Sequence, residues 1–292
     1  MLKRTCTLLA VLIFLPVVVF AQEGILKESL SLESEILGEE VKYSIYLPGD
    51  YEESNRSYPV LYLLHGFSDD ETGWTQFGEV KHIADRERRK ENVTDMIIVM
   101  PDAGTSWYIN NHDESIRYED FFVNELISHI DESYRTRTDK EFRAVAGLSM
   151  GGYGTMIMAT KHPDLFAAAP LSAGILIEEE VVDMPQENWD NVFGTPFGEG
   201  LDGEDRLTGH FRENSILEII ENGDAEELGS VRYYIDCGDD DFLIKGNMAL
   251  HSAMIDQEIE HEFRVRDGGH TWSYWRSALP EVLGFVSQSF HR

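Results

Sequence analysis

A serine flanked by glycines is the strongest chemical signal in the sequence. Residues 147–151 read Gly-Leu-Ser-Met-Gly and match the pattern G-x-S-x-G. An apolar run at 144–146 precedes the motif and a helix-like stretch follows it, which is the strand-turn-helix setting that this pattern requires. In so tight a turn the serine takes strained backbone angles, and the glycines avoid side-chain collisions. The pattern predicts that Ser149 is a nucleophile exposed at the carboxyl end of a sheet.

A serine hydroxyl needs a histidine to accept its proton and a carboxylate to hold that histidine in the right tautomer. His270 follows two glycines in a loop just past a strand-like run, and we predict it to be the base. The acid should follow the apolar run 231–235, where four candidates lie: Asp236, Asp239, Asp240 and Asp241. Consecutive acids are usually a solvated charge run, so spacing alone leaves the choice among the four open.

The same chemistry requires two backbone N–H groups that stabilise an oxyanion. One should belong to the residue after the nucleophile, and the other to a turn that ends an early strand. Residues 62–67 end such a strand in a His-Gly turn. We therefore assign the two donors to Phe67 and Met150. Both act through the main chain, and loss of one such donor typically costs about 10²–10³ in rate.

Aromatic residues accumulate in the loops that carry these groups: Trp74, Trp107, Tyr108, Trp272 and Trp275. Isolated aromatic residues are usually part of a core, and we expect this of about half of them. The others could stack on a sugar ring or on a phenolic acyl group. We predict substrate contacts for Trp74, Trp107, Tyr108 and Trp272.

Composition excludes several other classes of function. The chain has 292 residues with 54 acidic and 24 basic side chains, a formal net charge of −30. Such a surface repels phosphate backbones and anionic lipid, so nucleic acid is not an expected partner. The glycine-rich motif lacks the Gly-Lys-Ser/Thr ending of a phosphate-binding loop, and no His-Glu-x-x-His motif or cysteine cluster occurs. We predict neither a metal nor an organic cofactor.

The first 21 residues have the features of a cleaved secretory signal. Lys3 and Arg4 precede an apolar run at 8–20, and Val-Phe-Ala precedes the first polar residues. The run is too short to span a bilayer comfortably, although an uncleaved amino-terminal anchor is the alternative. We predict a secreted or periplasmic protein without membrane association after cleavage. Only Cys237 remains beyond this segment, so no intramolecular disulfide is expected.

Strand-like and helix-like segments alternate along the rest of the chain. Residues 41–47 alternate in polarity, which is typical of a half-exposed strand near a sheet edge. Short apolar runs predict central parallel strands at Val60–Leu64, 96–100, 144–146 and 231–235. Helical periodicity occurs at 121–134, 151–161 and 246–257, a further strand-like run at 262–266, and a last helix ends near Phe290. The alternation predicts a doubly wound α/β sheet with helices on both faces.

Residues 175–229 break this rhythm with an acidic, turn-rich stretch. The stretch contains no repeat and no low-complexity tract, so we interpret it as a lid-like insertion over the carboxyl edge of the sheet. We therefore predict a single domain over residues 22–292.

Several sequence blocks occur in an order that resembles a known family. They are 63–66 with Trp74, then 100–102 with 106–108, then 147–152, 237–242 and 269–272. Together they resemble the Putative esterase family of α/β hydrolases, which includes feruloyl and acetyl-xylan esterases, esterase D and the mycobacterial mycolyltransferases. The resemblance extends from about Ser29 to the end of the chain and matches least in the insertion, where acyl and alcohol preference would be set.

The resemblance implies an α/β-hydrolase fold with Ser149 as the nucleophile and His270 as the base. In family members the acid lies three residues after a glycine at a strand end and precedes an apolar residue. Gly238 and Phe242 fit these two positions, which selects Asp241.

These observations favour a secreted serine carboxylic-ester hydrolase that forms an acyl-enzyme on acyl, feruloyl or acetyl esters of carbohydrates. The alternatives are an acyltransferase of the mycolyltransferase type and a thioesterase that is similar to S-formylglutathione hydrolase. A non-catalytic carbohydrate-binding protein is the least favoured, because the sequence contains candidates for every catalytic group.

Overall fold

Short apolar runs form the strands of one eight-stranded sheet. The computed structural model describes residues 22–172 and 174–290, so the predicted signal segment lies outside the described residues. The strands are β1 Ile25–Glu33, β2 Glu40–Leu47, β3 Val60–Leu64, β4 Ile97–Pro101, β5 Arg143–Leu148, β6 Ala168–Ser172, β7 Arg232–Gly238 and β8 His261–Arg266. Their order is β1-β2-β4-β3-β5-β6-β7-β8. Strand β2 is antiparallel to both neighbours, and the pairs from β4 to β8 are parallel.

Helices connect the strands and cover both faces of the sheet. They are α1 Gly73–Gln76, α2 Val80–Arg89, α3 Tyr118–Phe121, α4 Ile127–Ser133, α5 Met150–Lys161, α6 Glu178–Val182, α7 Gln186–Val192, α8 Gly194–Phe197, α9 Gly209–Glu213, α10 Ile216–Asn222, α11 Ala225–Leu228, α12 Ile244–Asp256 and α13 Trp272–Ser289. A π-helical segment, Phe122–Leu126, joins α3 to α4. Short 3-10 turns lie at Lys140–Phe142 and Gly203–Arg206.

The alternation of side chains along β3 explains the two layers of core. Tyr62 and Leu64 pack with α5 and the insertion on one face, and Leu61 and Leu63 pack with α2 and α13 on the other. All five residues of β3 are buried, as expected for a parallel strand covered on both faces. The predicted α/β fold with a mostly parallel sheet is therefore confirmed.

The predicted strand at 41–47 is β2, which lies second from the sheet edge. Its half-exposed pattern holds only at its start, because Ser44 and the following residues to Leu47 are all buried. No helix in the described part of the chain, residues 22–172 and 174–290, has both the length and the apolar character needed to cross a membrane.

The insertion between β6 and β7 folds into the short helices α6 to α11. The fully buried Arg206 holds its first half together. The guanidinium group donates hydrogen bonds to the carbonyl oxygens of Leu201 (3.0 Å), Val181 (2.9 Å) and Met184 (2.6 Å). Because the carbonyls come from both sides of α7, one side chain fixes the shape of this segment.

A buried carboxylate, Asp236, ties together the sheet end that carries the predicted acid. Two oxygens of Asp236 accept hydrogen bonds from Arg266 at 3.0 and 2.8 Å. The hydroxyls of Tyr234 (2.6 Å) and Tyr274 (2.5 Å) also donate to it. The network joins β7, β8 and the start of α13, so it fixes the ends of the loop that carries His270 and the start of the loop that carries Asp241.

We expect Asp236→Ala to lower the free energy of unfolding by about 1–3 kcal/mol, because it removes the buried acceptor of the Tyr274 and Tyr234 hydroxyls and leaves Arg266 with Glu281 alone, at 3.6 Å. Urea denaturation measures the change. The control is Asp240→Ala, an exposed acid in the same sequence region, which should stay within about 0.5 kcal/mol of wild type. Equal effects of the two substitutions would contradict a structural role for the Asp236 network.

Candidate active site

Ser149 occupies a strained turn between β5 and α5. Its backbone angles are φ 53° and ψ −122°, which an L-residue adopts only under strain. The turn is tight: a Cβ atom on Gly147 would lie 2.2 Å from the carbonyl oxygen of Gly151. A Cβ atom on Gly151 would in turn lie 2.5 Å from the carbonyl oxygen of Leu64. Both glycines of the motif are thus required by close backbone approach, as the sequence pattern predicts.

We expect Gly151→Ala to lower the free energy of unfolding by about 1–3 kcal/mol, because the added methyl group meets backbone rather than flexible side-chain atoms. Gly284→Ala in α13 is the matched control. Its added Cβ meets open space, so helix propensity should raise stability slightly. Guanidinium denaturation of both variants checks the pair, and a Gly151→Ala protein as stable as Gly284→Ala would contradict the close approach.

The structure brings together the three side chains that the sequence predicts as nucleophile, base and acid. The distance from His270 Nε2 to Ser149 Oγ is 2.9 Å. On the other side of the ring, His270 Nδ1 lies 2.9 Å from Asp241 Oδ2 and 3.1 Å from Oδ1. In the tautomer that fits this chain of contacts, Nδ1–H donates to the carboxylate and Nε2 accepts the serine proton.

Of the four acids left open by spacing, only Asp241 contacts the histidine. Asp236 belongs to the buried network with Arg266, and Asp239 and Asp240 are exposed. The Asp241 side chain is 1 % exposed, and its Oδ1 also accepts a hydrogen bond from the Leu243 backbone N–H (2.9 Å). The carboxylate is therefore held in place from two directions.

The one cysteine of the described residues lies beside this acid but is chemically quiet. Burial, together with the nearby carboxylates of Asp241 and Asp236, raises the pKa of the Cys237 thiol to about 12. Because the thiolate is the reactive form, Cys237 does not compete with Ser149 as a nucleophile at neutral pH.

The predicted oxyanion donors lie at the two turns next to Ser149. Met150 is the first residue of α5, so its N–H has no carbonyl partner within the helix. Phe67 follows the end of β3 and lines the same cavity as Ser149. The amino-terminal end of α5, a helix of 12 residues, adds a favourable field for negative charge at this position.

His65 shapes the loop that carries Phe67. Its ring is buried, and its Nε2 accepts a hydrogen bond from the Ala103 backbone N–H (2.9 Å). The hydroxyl of Tyr108 donates to the His65 carbonyl oxygen (3.0 Å). His65 is thus a structural residue of this loop.

A cavity of about 680 Å³ opens above Ser149 and His270. Its volume lies within the usual range of small-molecule sites. The insertion supplies one wall, which is largely apolar and includes Leu176, Val181, Met184, Val192 and Phe193. The insertion therefore covers part of the carboxyl edge of the sheet.

Of the four aromatic residues predicted to contact substrate, Trp107 and Trp272 line the cavity and Trp74 and Tyr108 do not. Trp74 is buried, donates a hydrogen bond to the Leu64 carbonyl oxygen (2.9 Å) and meets Trp272 edge to face. Tyr108 is buried beneath the loop that carries Phe67. The structure thus gives Trp74 and Tyr108 supporting positions rather than contact positions.

Sequence reasoning missed several residues of the cavity lining, of which Phe242, Asp69 and Glu180 bear on the chemistry. Phe242 is 69 % exposed, and its ring centroid lies 4.5 Å from that of His270. The sequence signal that could have identified Phe242 is its position directly after Asp241. Asp69 and Glu180 bring two carboxylates to the cavity, and burial raises the pKa of Asp69.

One group of carboxylates could reach a common cation. Oxygens of Asp239, Asp240 and Asp267 lie within 4.8 Å of one another, but all three residues are exposed and none lines the cavity. The side chains of Ser149, His270 and Asp241 are already paired with one another by hydrogen bonds.

The eight-stranded sheet and the strained serine turn at the end of β5 define a protein of the α/β-hydrolase fold. A solved structure of a ferulic acid esterase is 32% identical, covers 92% of this chain and 99% of that one, and superposes with a TM-score of 0.79. An acetyl esterase of Caldicellulosiruptor saccharolyticus is 23% identical over 78% of this chain and 83% of its own length. An endo-1,4-beta-xylanase/feruloyl esterase of Xylanibacter ruminicola is 32% identical over 53% of this chain, which spans 23% of that longer protein.

The profile of the Putative esterase family matches residues 34–286, and the chain belongs to this family. The resemblance inferred from the sequence blocks is therefore confirmed. The protein is a carboxylic-ester hydrolase.

Proposed function

We propose that the protein is a secreted serine esterase that hydrolyses acyl esters of carbohydrates through an acyl-enzyme on Ser149. One observation carries the proposal. A chain of two 2.9 Å contacts runs from Asp241 through His270 to Ser149 at the floor of an open cavity. This arrangement lets a proton leave the serine hydroxyl as the oxygen attacks a carbonyl carbon.

In the first half of the reaction, Ser149 Oγ bonds to the ester carbonyl carbon while His270 Nε2 takes its proton. The backbone N–H groups of Phe67 and Met150 donate to the oxyanion that forms. The bond from carbon to the alcohol oxygen then breaks, and His270 returns the proton to that oxygen. Asp241 keeps the ring oriented and stabilises the imidazolium that exists between these steps.

In the second half, a water molecule replaces the alcohol. His270 accepts a proton from the water as its oxygen attacks the acyl carbon, and the same two N–H groups stabilise the second oxyanion. Breakage of the bond to Ser149 Oγ releases the carboxylic acid, and the serine recovers its proton from His270.

The lining of the cavity suits an ester that has an apolar acyl part and a polar alcohol part. The apolar wall from the insertion suits an acetyl or an aromatic acyl group, and Trp107, which packs against Phe193 of that wall, adds aromatic surface. The similarity to an acetyl esterase and to an endo-1,4-beta-xylanase/feruloyl esterase supports acetyl or feruloyl groups on a polysaccharide such as xylan. The secretory features of residues 1–21 support a polymeric substrate outside the cell.

A panel of p-nitrophenyl acyl esters, methyl ferulate and acetylated xylan tests the substrate class. Wild-type protein should hydrolyse a member of the panel and should react covalently with a fluorophosphonate, with the label on the peptide that contains Ser149. A wild-type protein that does not label would overturn the serine mechanism.

Added alcohols distinguish hydrolysis from the acyltransferase alternative. When a sugar acceptor is added at increasing concentration, a hydrolase should continue to release mainly free acid. Release of mainly acylated sugar would favour the transferase instead.

A further inference from the structure

Asp69 is a half-buried carboxylate for which the proposed mechanism has no use. It lies in the turn after Phe67 and lines the cavity. Within residues 22–172 and 174–290, no donor makes a hydrogen bond to its carboxylate. Burial raises its pKa even though His65 lies nearby. A carboxylate that is partly withdrawn from water without a hydrogen-bond donor is costly. A bound ligand could supply the missing donor.

The Asp69 carboxylate and the Ser149 side chain face the same space across Gly66. A Cβ atom on Gly66 would lie 3.5 Å from Ser149 Cβ and 3.6 Å from Asp69 Oδ2. Leu148 Cδ1 lies closest to this position, at 2.7 Å, so the space left by the missing side chain of Gly66 is bordered by one apolar group, the nucleophile and the carboxylate. Asp69 can therefore contact a group attached to the reacting carbonyl.

The position of Asp69 favours the alcohol part of the ester rather than the acyl part. A Cβ atom on Gly73 would lie 3.2 Å from Asp69 Cβ and 3.4 Å from Trp272 Cζ2, so the carboxylate side chain and the indole are neighbours. Trp272 follows His270 by two residues, and His270 returns the proton to the alcohol oxygen. The alcohol thus lies toward Trp272 and Asp69, whereas the apolar wall of the insertion remains for the acyl group.

The charge of the cavity restricts the alcohol further. Asp69 and Glu180 are its two carboxylates, and no lysine or arginine occurs among the described lining residues. Carboxylate oxygens accept hydrogen bonds from hydroxyl groups and repel other anions in a partly desolvated site. An alcohol with free hydroxyl groups suits the side of the cavity that Asp69 lines, and an alcohol or thiol that bears carboxylates does not.

We propose that Asp69 is a specificity-determining residue that accepts hydrogen bonds from the hydroxyl groups of the leaving alcohol and excludes anionic leaving groups. This inference rests on the proposed function, because it takes Ser149 and His270 as the reacting groups. With Asp69 in this role, the natural ester has a neutral polyol as its alcohol component.

A pair of esters with the same acyl group measures recognition of hydroxyl groups. One is a methyl glucoside acylated at O6, and the other is the cyclohexylmethyl ester, which has a similar ring without hydroxyls. Asp69→Ala should lower the ratio of the two kcat/KM values, glucoside over cyclohexylmethyl, by about 10- to 100-fold. Asp69→Asn, which keeps an acceptor oxygen, should lower it less.

The matched control is Asp70→Asn. Asp70 is the exposed neighbour of Asp69 and does not line the cavity, so the ratio of the two kcat/KM values should stay at the wild-type value. Thermal unfolding and fluorophosphonate labelling of each variant verify that the fold and Ser149 are intact.

A second pair of esters measures exclusion of charge. Acyl esters of 4-hydroxybenzoate and of 4-hydroxybenzamide differ only in that the first leaving group carries a carboxylate. Asp69→Asn should raise the kcat/KM ratio, benzoate over benzamide, by about 3- to 10-fold, and this gain should shrink at high ionic strength.

The outcomes separate this inference from the proposed function. If wild type hydrolyses the cyclohexylmethyl ester and labels at Ser149, but Asp69→Ala leaves the first ratio unchanged and Asp69→Asn leaves the second unchanged, only the inference on Asp69 is overturned. A loss of the same size on both esters of the first pair also overturns it, because that result indicates damage to the reacting groups. A wild-type protein that neither labels nor hydrolyses any ester removes the proposed function and the inference with it.

Discussion

Ser149→Ala should lower kcat on the preferred ester by about 10⁵- to 10⁶-fold and abolish fluorophosphonate labelling. The substitution removes the oxygen that bonds to the acyl carbon, so no acyl-enzyme can form. The residual rate should exceed that in water alone, because the N–H groups of Phe67 and Met150 and the cavity still act on the substrate. Steady-state kinetics and intact-protein mass spectrometry measure the two effects.

The fold should tolerate Ser149→Ala, so that a loss of activity reflects the loss of the serine hydroxyl and not unfolding. Alanine keeps the Cβ atom of Ser149, and the strained backbone is set by the contacts of the neighbouring glycines. Ser128→Ala is the control, since Ser128 is an exposed serine on α4. It should leave kcat and labelling at wild-type levels. A Ser149→Ala protein that still turns over or labels would assign the nucleophile to another residue.

Asp241→Asn should lower kcat by about 10⁴-fold with little change in structure. The amide has the shape of the carboxylate, but its NH₂ group donates toward His270 Nδ1 and favours the tautomer whose Nε2 carries the proton. That nitrogen lies 2.9 Å from Ser149 Oγ and could then no longer accept the serine proton. The loss should appear in kcat more than in KM, because the ring does its work in the transition state.

The neighbouring acid provides a sharp control for Asp241. Asp240→Asn changes the same residue type one position earlier, at an exposed site without a contact to His270. It should leave kcat within about threefold of wild type, since surface substitutions away from special features have small effects. If Asp240→Asn were the more damaging of the two, the assignment of the acid would be wrong.

The central strands and the serine turn could be predicted because burial on both faces leaves short, continuous apolar runs. Strand β3 occupies the predicted residues, and the glycines around Ser149 have the contacts that the motif requires. Two strands were missed for physical reasons. Strand β1 is an edge strand with a bulge at Ser29 and many exposed residues, and β6 contains Pro170, which is unusual inside a sheet.

The predictable part of the site is its order along the chain, and the unpredictable part is the direction of its side chains. Spacing could not separate Asp241 from its neighbours, because the loop geometry that turns one carboxylate toward His270 is not encoded in a local pattern. Trp74 and Tyr108 have the right residue types, yet each binds a backbone carbonyl beneath the loop. In the sequence Asp69 lies next to Asp70, and two adjacent acids indicate solvated surface. Only the structure shows that Asp69 lines the cavity.

The buried guanidinium of Arg206 holds the segment that supplies Val181 and Met184 to the apolar wall of the cavity. Swinging the segment before α7 away would strip the hydrogen bonds to the carbonyls of Val181 and Met184 from a fully buried guanidinium, which would keep its partners beyond α7, Leu201 and Asp202. That opposition makes the acyl side of the cavity a preorganised receptor, already shaped before substrate arrives. Tolerance for longer or bulkier acyl chains should accordingly depend on the volume of individual wall side chains such as Met184.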